Sequence, residues 1–402
     1  MSISRAKFLR QVYPFKPPST SVDHLVIGGG VIGLSVAAAL VNKAGKGRTT
    51  FLVERRGQLG QETTNSEVIH SGIYYPLGSV KSRLCIQGRD MLYKRCEQFG
   101  IGHKRTGKIV VATSDSQVPY LKKLQAHSTH PSFLTASGDP SSSRITTQFL
   151  TGNEARELEP DLSPKIAWKE KLKTPITILR HHEKRIGEKV LSSWGRELSE
   201  SIERSLAVDG SYKWRLAGKA LGKKKRESQS MWRCGTRKRA GTVVACQGGP
   251  GVGSVSRLIY PCPSANVDHL GTHLTLDLDG HIKFGPDVQT IGTSADAARD
   301  PDFWQSYLAP SSSPELIAAF AHSVQDYLPT IDPSLLSPDY AGIRPNIAPP
   351  EAGFSDFLIR HVEQRKGFVE LLGFNSPGLT SSLAVGEVVG EMVGRQVWNK
   401  KD

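Results

Sequence analysis

The chain has 402 residues, 38% of them hydrophobic and 22% charged, enough for a sizeable core in two joined domains. Its 39 Gly and 24 Pro carry no collagen period, and the composition excludes a coiled coil or a wholly disordered protein. Five Cys with no CxxC pair exclude a disulfide scaffold and a zinc ribbon, and no metal site is expected. The net charge of +14 is local: residues 169–239 hold 20 Lys and Arg against 8 Asp and Glu. A nucleic-acid partner therefore concerns that stretch alone and is not expected of the whole chain.

In chain order, the first 22 residues carry Arg5, Lys7, Arg10 and Lys16 and no acid. They read as a basic mitochondrial leader or, equally, as a disordered tail of a cytoplasmic protein. No segment reads as a transmembrane span, although peripheral contact with a membrane stays open. Residues 22–27 predict a short buried strand and 31–43 an apolar helix. Residues 49–53 predict a second strand, ending at Glu54. Between strand and helix, Gly28-Gly29-Gly30-Val31-Ile32-Gly33 fits GxGxxG, in the strand–turn–helix context that a dinucleotide site needs. Gly28 permits the tight turn and Gly30 the approach of a pyrophosphate. Gly33 permits close packing of helix on strand, while Val31 and Ile32 open the helix whose N–H groups face the phosphates. Glu54 suits ribose hydroxyls and disfavours a 2′-phosphate, which Arg55 and Arg56 could otherwise suit; these residues alone do not fix which dinucleotide binds.

Residues 63–75, Thr-Thr-Asn-Ser-Glu-Val-Ile-His-Ser-Gly-Ile-Tyr-Tyr, bring short polar groups, a histidine and a small glycine together. Such a run suits the edge of a flat ring, although a histidine in an apolar run is more often a core residue. This block resembles the signature of the FAD-dependent L-2-hydroxyglutarate dehydrogenases, in the wider D-amino-acid-oxidase-like group of flavoproteins. The likeness continues through 80–88, 107–112 and 158–160, then 259–261, 271–275, 279–286, 342–345 and 375–382. It implies a fold in the α/β class: a GxGxxG-type FAD-binding domain with an antiparallel-sheet substrate domain. The FAD domain would be assembled from 22–75 and 341–398, and the substrate domain from 76–165 and 251–340.

The resemblance also implies roles. Thr64, Asn65 and Ser66, with Glu54 and Arg55, would contact FAD, and Gly378, Leu379 and Thr380 would close a loop and helix over the flavin. His70 would take the substrate's hydroxyl proton, with His273 as the second proton acceptor. Arg344, set extended by the following proline, would clamp a carboxylate. Tyr74 and Lys81 are further substrate contacts. By pattern alone Tyr74 and Tyr75 read as half-buried strand residues, and Lys81 and Arg83 as solvated charges opening a helix over 80–99. A helix over 151–158 opens with a Thr151–Glu154 capping box, another spans 314–328, and a third 380–398.

Residues 166–250 depart from the pattern. Thr242 to Gly249 echo a strand and turn expected on the adenine side of FAD, but directly abut the resumed likeness. The stretch reads as a basic insertion, a charged disordered loop or, preferentially, sequence translated outside the family's frame. The activity implied is oxidation of a 2-hydroxy acid, L-2-hydroxyglutarate to 2-oxoglutarate, by hydride transfer to the flavin. A quinone carrier or oxygen would take the electrons. The alternatives are an FAD-dependent amine or amino-acid oxidase of the same group, or an inactive homologue or basic nucleic-acid-binding protein.

Overall fold

The computed structural model describes residues 21–44, 48–54, 66–131, 147–164, 184–186, 238–246, 255–263, 271–291, 310–347, 353–363 and 367–395. Arg55, Thr64, Asn65, the N-terminal tail and most of the basic stretch lie outside them.

Strand β1 (His24–Ile27) pairs in parallel with β2 (Thr50–Val53), and helix α1 (Val31–Ala44) connects them. Here the turn glycines act as their spacing predicts. Gly28 has φ +108°, and a Cβ on Gly33 would stand 1.8 Å from the Gly28 carbonyl oxygen. Strand β3 (Val68–Ile69) follows, then α2 (Val80–Gln98), capped by the Ser79 hydroxyl, which accepts the Ser82 N–H. Near the C-terminus comes α6 (Gly378–Val393). It starts two residues earlier than the predicted helix because Pro377 sets its first turn.

Helices α1, α2 and α6 pack around Leu34, Leu40, Leu84, Val385 and Val389. They cross closely enough that a Cβ on Gly386 would meet the Ser35 carbonyl oxygen at 2.5 Å, and one on Gly88 the Thr380 carbonyl oxygen at 2.2 Å. Helix α2 thus shares the nucleotide-side core, so a boundary at 75/76 cuts across packing rather than between domains.

After β4 (His103–Arg105), β5 (Lys108–Val111) joins a larger sheet. Its members are β7 (Lys238–Cys246), β8 (Leu258–Pro261), β9 (His273–Leu276), β10 (Ile282–Gly285), β11 (Gln289–Thr290) and β12 (Leu336–Pro345). The order is β11-β7-β10-β9-β8-β5, with β12 also on β7; all pairs are antiparallel except β5 with β8. One face buries Ile109, Ile259, Leu274, Phe284 and Val244 against Phe320 and Val324 of α5 (Pro314–Gln325). Helix α3 (Val118–Ser128) and α4 (Gly152–Leu158) flank it, the latter opened by the predicted Thr151–Glu154 box. A hairpin of β13 (Leu358–His361) and β14 (Val369–Leu372) leads into α6.

The strand at 238–246, which only echoes the strand expected on the adenine side, lies in the large sheet between β10 and β12, where Val244 and Cys246 face the core. Within the basic stretch, β6 (Lys184–Ile186) pairs with β3 and β4. Among the described residues no helix is long and apolar enough to cross a membrane.

Candidate active site

The segment 373–380 is the hub of the site. Asn375 Oδ1 accepts the Lys81 Nζ at 2.6 Å, while its Nδ2 donates to Asn346 Oδ1, two residues beyond Arg344. The next residue, Ser376, sets its hydroxyl 3.4 Å from His70 Nε2 and 3.4 Å from the Tyr75 hydroxyl. Thr380 then staples the first turn of α6 to β3: its hydroxyl accepts the His70 N–H at 3.0 Å and donates to the Val68 carbonyl. The strap arriving at His70 is tight, for Glu67 has φ +53°, a left-handed conformation rare outside glycine. The sequence-predicted His70, Lys81, Arg344 and Thr380 therefore converge, drawn together by Asn375 and Ser376.

Lys81 is not a solvated charge. It is 5% exposed, in the first turn of α2, whose Val80 and Lys81 N–H groups both donate to the Asp356 carboxylate. Its ammonium stands 5.2 Å from the Phe357 ring centroid and 5.6 Å from that of Phe354. Burial, with a smaller contribution from the Arg344 guanidinium, depresses its pKa to about 8 against the raising effect of Asp356. Two cations thus share one enclosed pole, which favours an anion there. Arg83 is exposed, as expected.

Tyr74 and Tyr75 are half-buried but lie in turns after β3 rather than in a strand, because Gly72 (φ +95°) breaks the extension. Tyr74 faces Lys108, fully buried at the start of β5, with Nζ 5.2 Å from the ring centroid. His273 opens β9 on the face of the sheet away from the α5 core and stacks on Tyr260, ring centroids 3.6 Å apart. Arg344, near the end of β12, is partly buried rather than a surface cation.

The residues present fit a dinucleotide. Where a side chain on Gly28 would stand there is nothing within 4 Å, and the Glu54 carboxylate holds the loop by accepting the Gly29 N–H at 2.7 Å. At the other end, Ser381 and Ser382 are fully buried in the first turn of α6, with hydroxyls that have no hydrogen-bond partner among the described residues. Buried polar groups are seldom left so in an apolar core, and the helix N-terminus there favours negative charge. Asn375, Ser376, Asn346 and Asp356 are not among the sequence-predicted site residues. Only Asn375 and Ser376 carried a signal, as part of a loop motif.

The model of the family described as "DAO: FAD dependent oxidoreductase" matches residues 23–176 and 225–392, leaving 177–224 outside the match. The mitochondrial L-2-hydroxyglutarate dehydrogenase of Arabidopsis thaliana is 30% identical over 91% of this chain and 82% of its own length. That of Escherichia coli strain K12 is 24% identical over 90% of this chain and 91% of its own. Among solved structures, dithionite-reduced L-alpha-glycerophosphate oxidase from Mycoplasma pneumoniae with FAD bound superposes with a TM-score of 0.65 at 20% identity. It covers 92% of this chain and 94% of its own, and shares the fold. With the glycine turn, the carboxylate after β2 and the α6 N-terminus in place, this chain belongs to the FAD dependent oxidoreductases and, among them, to the L-2-hydroxyglutarate dehydrogenase family.

Proposed function

We propose that this enzyme oxidises a 2-hydroxy dicarboxylic acid, L-2-hydroxyglutarate, to 2-oxoglutarate. The observation that carries the reading is the enclosed cationic pole of Lys81 and Arg344 joined through Asn375 and Ser376 to the imidazole of His70. Arg344 and Lys81 bind a carboxylate of the substrate, with Tyr74 lining the approach. His70 accepts the hydroxyl proton; the Ser376 hydroxyl beside Nε2 orients the ring, and His273 on the sheet is the alternative acceptor. FAD, when bound, supplies the acceptor for the hydride leaving C2, so that loss of proton and hydride turns the alcohol into the ketone. Gly28, Gly30, Val31, Ile32 and Gly33 would hold its pyrophosphate, and Glu54, with Arg55, its ribose. Thr64, Asn65, Ser66, Gly378, Leu379 and Thr380 would hold the flavin side.

A quinone carrier or oxygen takes the electrons onward, and the basic N-terminus, with the mitochondrial relatives, supports a mitochondrial enzyme. Residues 177–224 read as sequence foreign to the family's frame; transcript sequencing across 165–250 that returns the same frame overturns that. Anaerobic addition of L-2-hydroxyglutarate is expected to bleach the flavin bands of the purified protein, and the D-isomer to leave them. Bleaching by amino or N-methyl acids instead would reassign the chain to amine oxidation.

A further inference from the structure

The Lys81 ammonium is held by groups that fix its position and leave its charge alone. Its Nζ donates to Asn375 Oδ1 at 2.6 Å and stands 5.2 Å and 5.6 Å from the ring centroids of Phe357 and Phe354. An ammonium has three N–H donors, and this is the one hydrogen bond that it makes among the described residues. No carboxylate among those residues forms an ion pair with it. Asp356 acts on it from a distance, because its oxygens are taken up by the N–H groups of Val80, Lys81 and Phe357 at 2.7, 2.8 and 2.8 Å. A lysine that is 5% exposed ordinarily has an acidic partner. Here the partner is a neutral amide.

The direction of that amide is determined. An ammonium only donates, so Oδ1 of Asn375 faces Lys81 and Nδ2 is left to donate to Asn346 Oδ1. Asn346 follows β12 directly, so one side chain ties the first turn of α2 to the end of the strand that carries Arg344. We propose that Asn375 is a positioning residue that sets the specificity of the cationic pole. It aims the Lys81 ammonium without neutralising it, so that the pole takes a carboxylate and refuses the matching uncharged amide. The proposal rests on the reading in which Lys81 binds a carboxylate of the substrate.

The charged groups around the ammonium leave it available. Burial and, less strongly, Arg344 lower its pKa to about 8 against the raising effect of Asp356, so the charged form still predominates at pH 7. Arg83, on α2 itself, is exposed. His70 and Tyr75 lie beyond Ser376, the residue after Asn375, and neither is among the groups that shift Lys81. The Asn375→Asp side chain has the same shape and keeps an oxygen for Lys81, while the Asn346 amide can turn to donate to it. Only the charge differs. At an effective dielectric of about 20, a negative charge about 6 Å from an incoming carboxylate weakens its binding by at least about tenfold. The same charge beside Lys81 raises its titration midpoint by about one unit or more.

The test follows the ammonium and a probe anion separately in the flavin-loaded protein. Without ligand, NMR of isotope-labelled lysine side chains, with Lys81 assigned through Lys81→Met, is expected to give a native midpoint of about 8. A native midpoint at or above the ordinary 10.5 means that the charge is already compensated and overturns the proposal. Asn375→Asp should raise the midpoint and at the same time weaken binding of glutarate, read from the flavin spectrum, at least about tenfold. It should also narrow the preference for glutarate over glutaramide. Loosened structure alone would not move affinity and midpoint in opposite directions. An unchanged midpoint or an unchanged glutarate affinity in Asn375→Asp overturns the proposal. If that variant does not fold, the native midpoint decides alone. Native glutarate affinity in Lys81→Met would instead overturn the reading of Lys81 as a carboxylate partner, whereas weakened binding there with native binding in Asn375→Asp removes the proposal alone.

Discussion

The helical half and the sheet half of this molecule are held by different means. In the helical half, glycines meet backbone: Gly33 of α1 against Gly28 of the turn before it, and Gly88 against Thr380 and Gly386 against Ser35 where α2 and α1 meet α6. Its candidate site segment is then fixed by hydrogen bonds between residues about three hundred positions apart, such as His70 with Thr380 and Lys81 with Asn375. The sheet half has one apolar face on a core and another face on which side chains stack across adjacent strands. Backbone contact tolerates no added atom, whereas stacked rings tolerate shape-conserving exchange. The two halves should therefore fail differently when perturbed.

The sharpest break is Gly88→Val. A Cβ there would lie 2.2 Å from the Thr380 carbonyl oxygen, so α2 and α6 must part and the flavin-side helix end moves with them. The expected outcome is protein purified without flavin absorbance; a yellow, normally folded variant would show that the crossing can relax. Tyr260→Phe, which keeps the ring, should by contrast retain the flavin and most of the turnover. Next in size is His70→Ala. Loss of a positioned proton acceptor costs about 10²–10⁴-fold in turnover, with the flavin spectrum retained. Stopped-flow flavin reduction measures it, and an unchanged rate would pass the role to His273.

Lys81 gives a smaller effect with a definite pH signature. Its folded pKa of about 8 lies below the ordinary 10.5, so the folded protein releases this proton first. The cost of burying the charge is fully present below about pH 8 and is relieved as the pH rises toward 10.5. Lys81→Met should lack that gain in denaturant midpoint, and identical profiles would refute it. The substrate's affinity should also weaken above about pH 8, and Lys81→Arg, which stays charged, should flatten that dependence.

These differences follow what could be read beforehand. The glycine turn, α1, the capping box of α4 and the amphipathic α5 were legible because each depends on residues close in sequence. His70, Arg344 and His273 were singled out through motif resemblance, since strand alternation alone says which face a residue takes and not what it meets. The partners were not legible. Asp356 caps the N-terminus of α2 from about 275 residues away, and no local pattern marks an acid for that duty. Lys81 looked solvated for the same reason, its enclosure coming from Phe354, Phe357 and Asn375. The sheet that the strand at 238–246 joins was not legible, because a short apolar run fits either sheet and only the register of Val244 and Cys246 decides.

The mildest test falls where the halves of the candidate site are stapled. Thr380→Val keeps the volume but removes the hydroxyl that accepts the His70 N–H and donates to the Val68 carbonyl. Both backbone groups lose a partner in a buried setting, since Thr380 is 0% exposed. Leaving buried groups unsatisfied costs about 1–3 kcal/mol, to be read as a lowered midpoint in chemical denaturation. Because β3 then loses this hydrogen-bonded staple to α6, His70 should sit less firmly against Ser376, and turnover should fall by less than in His70→Ala. A stability loss without any fall in turnover would mean that the staple serves the fold and that Ser376 alone orients the imidazole.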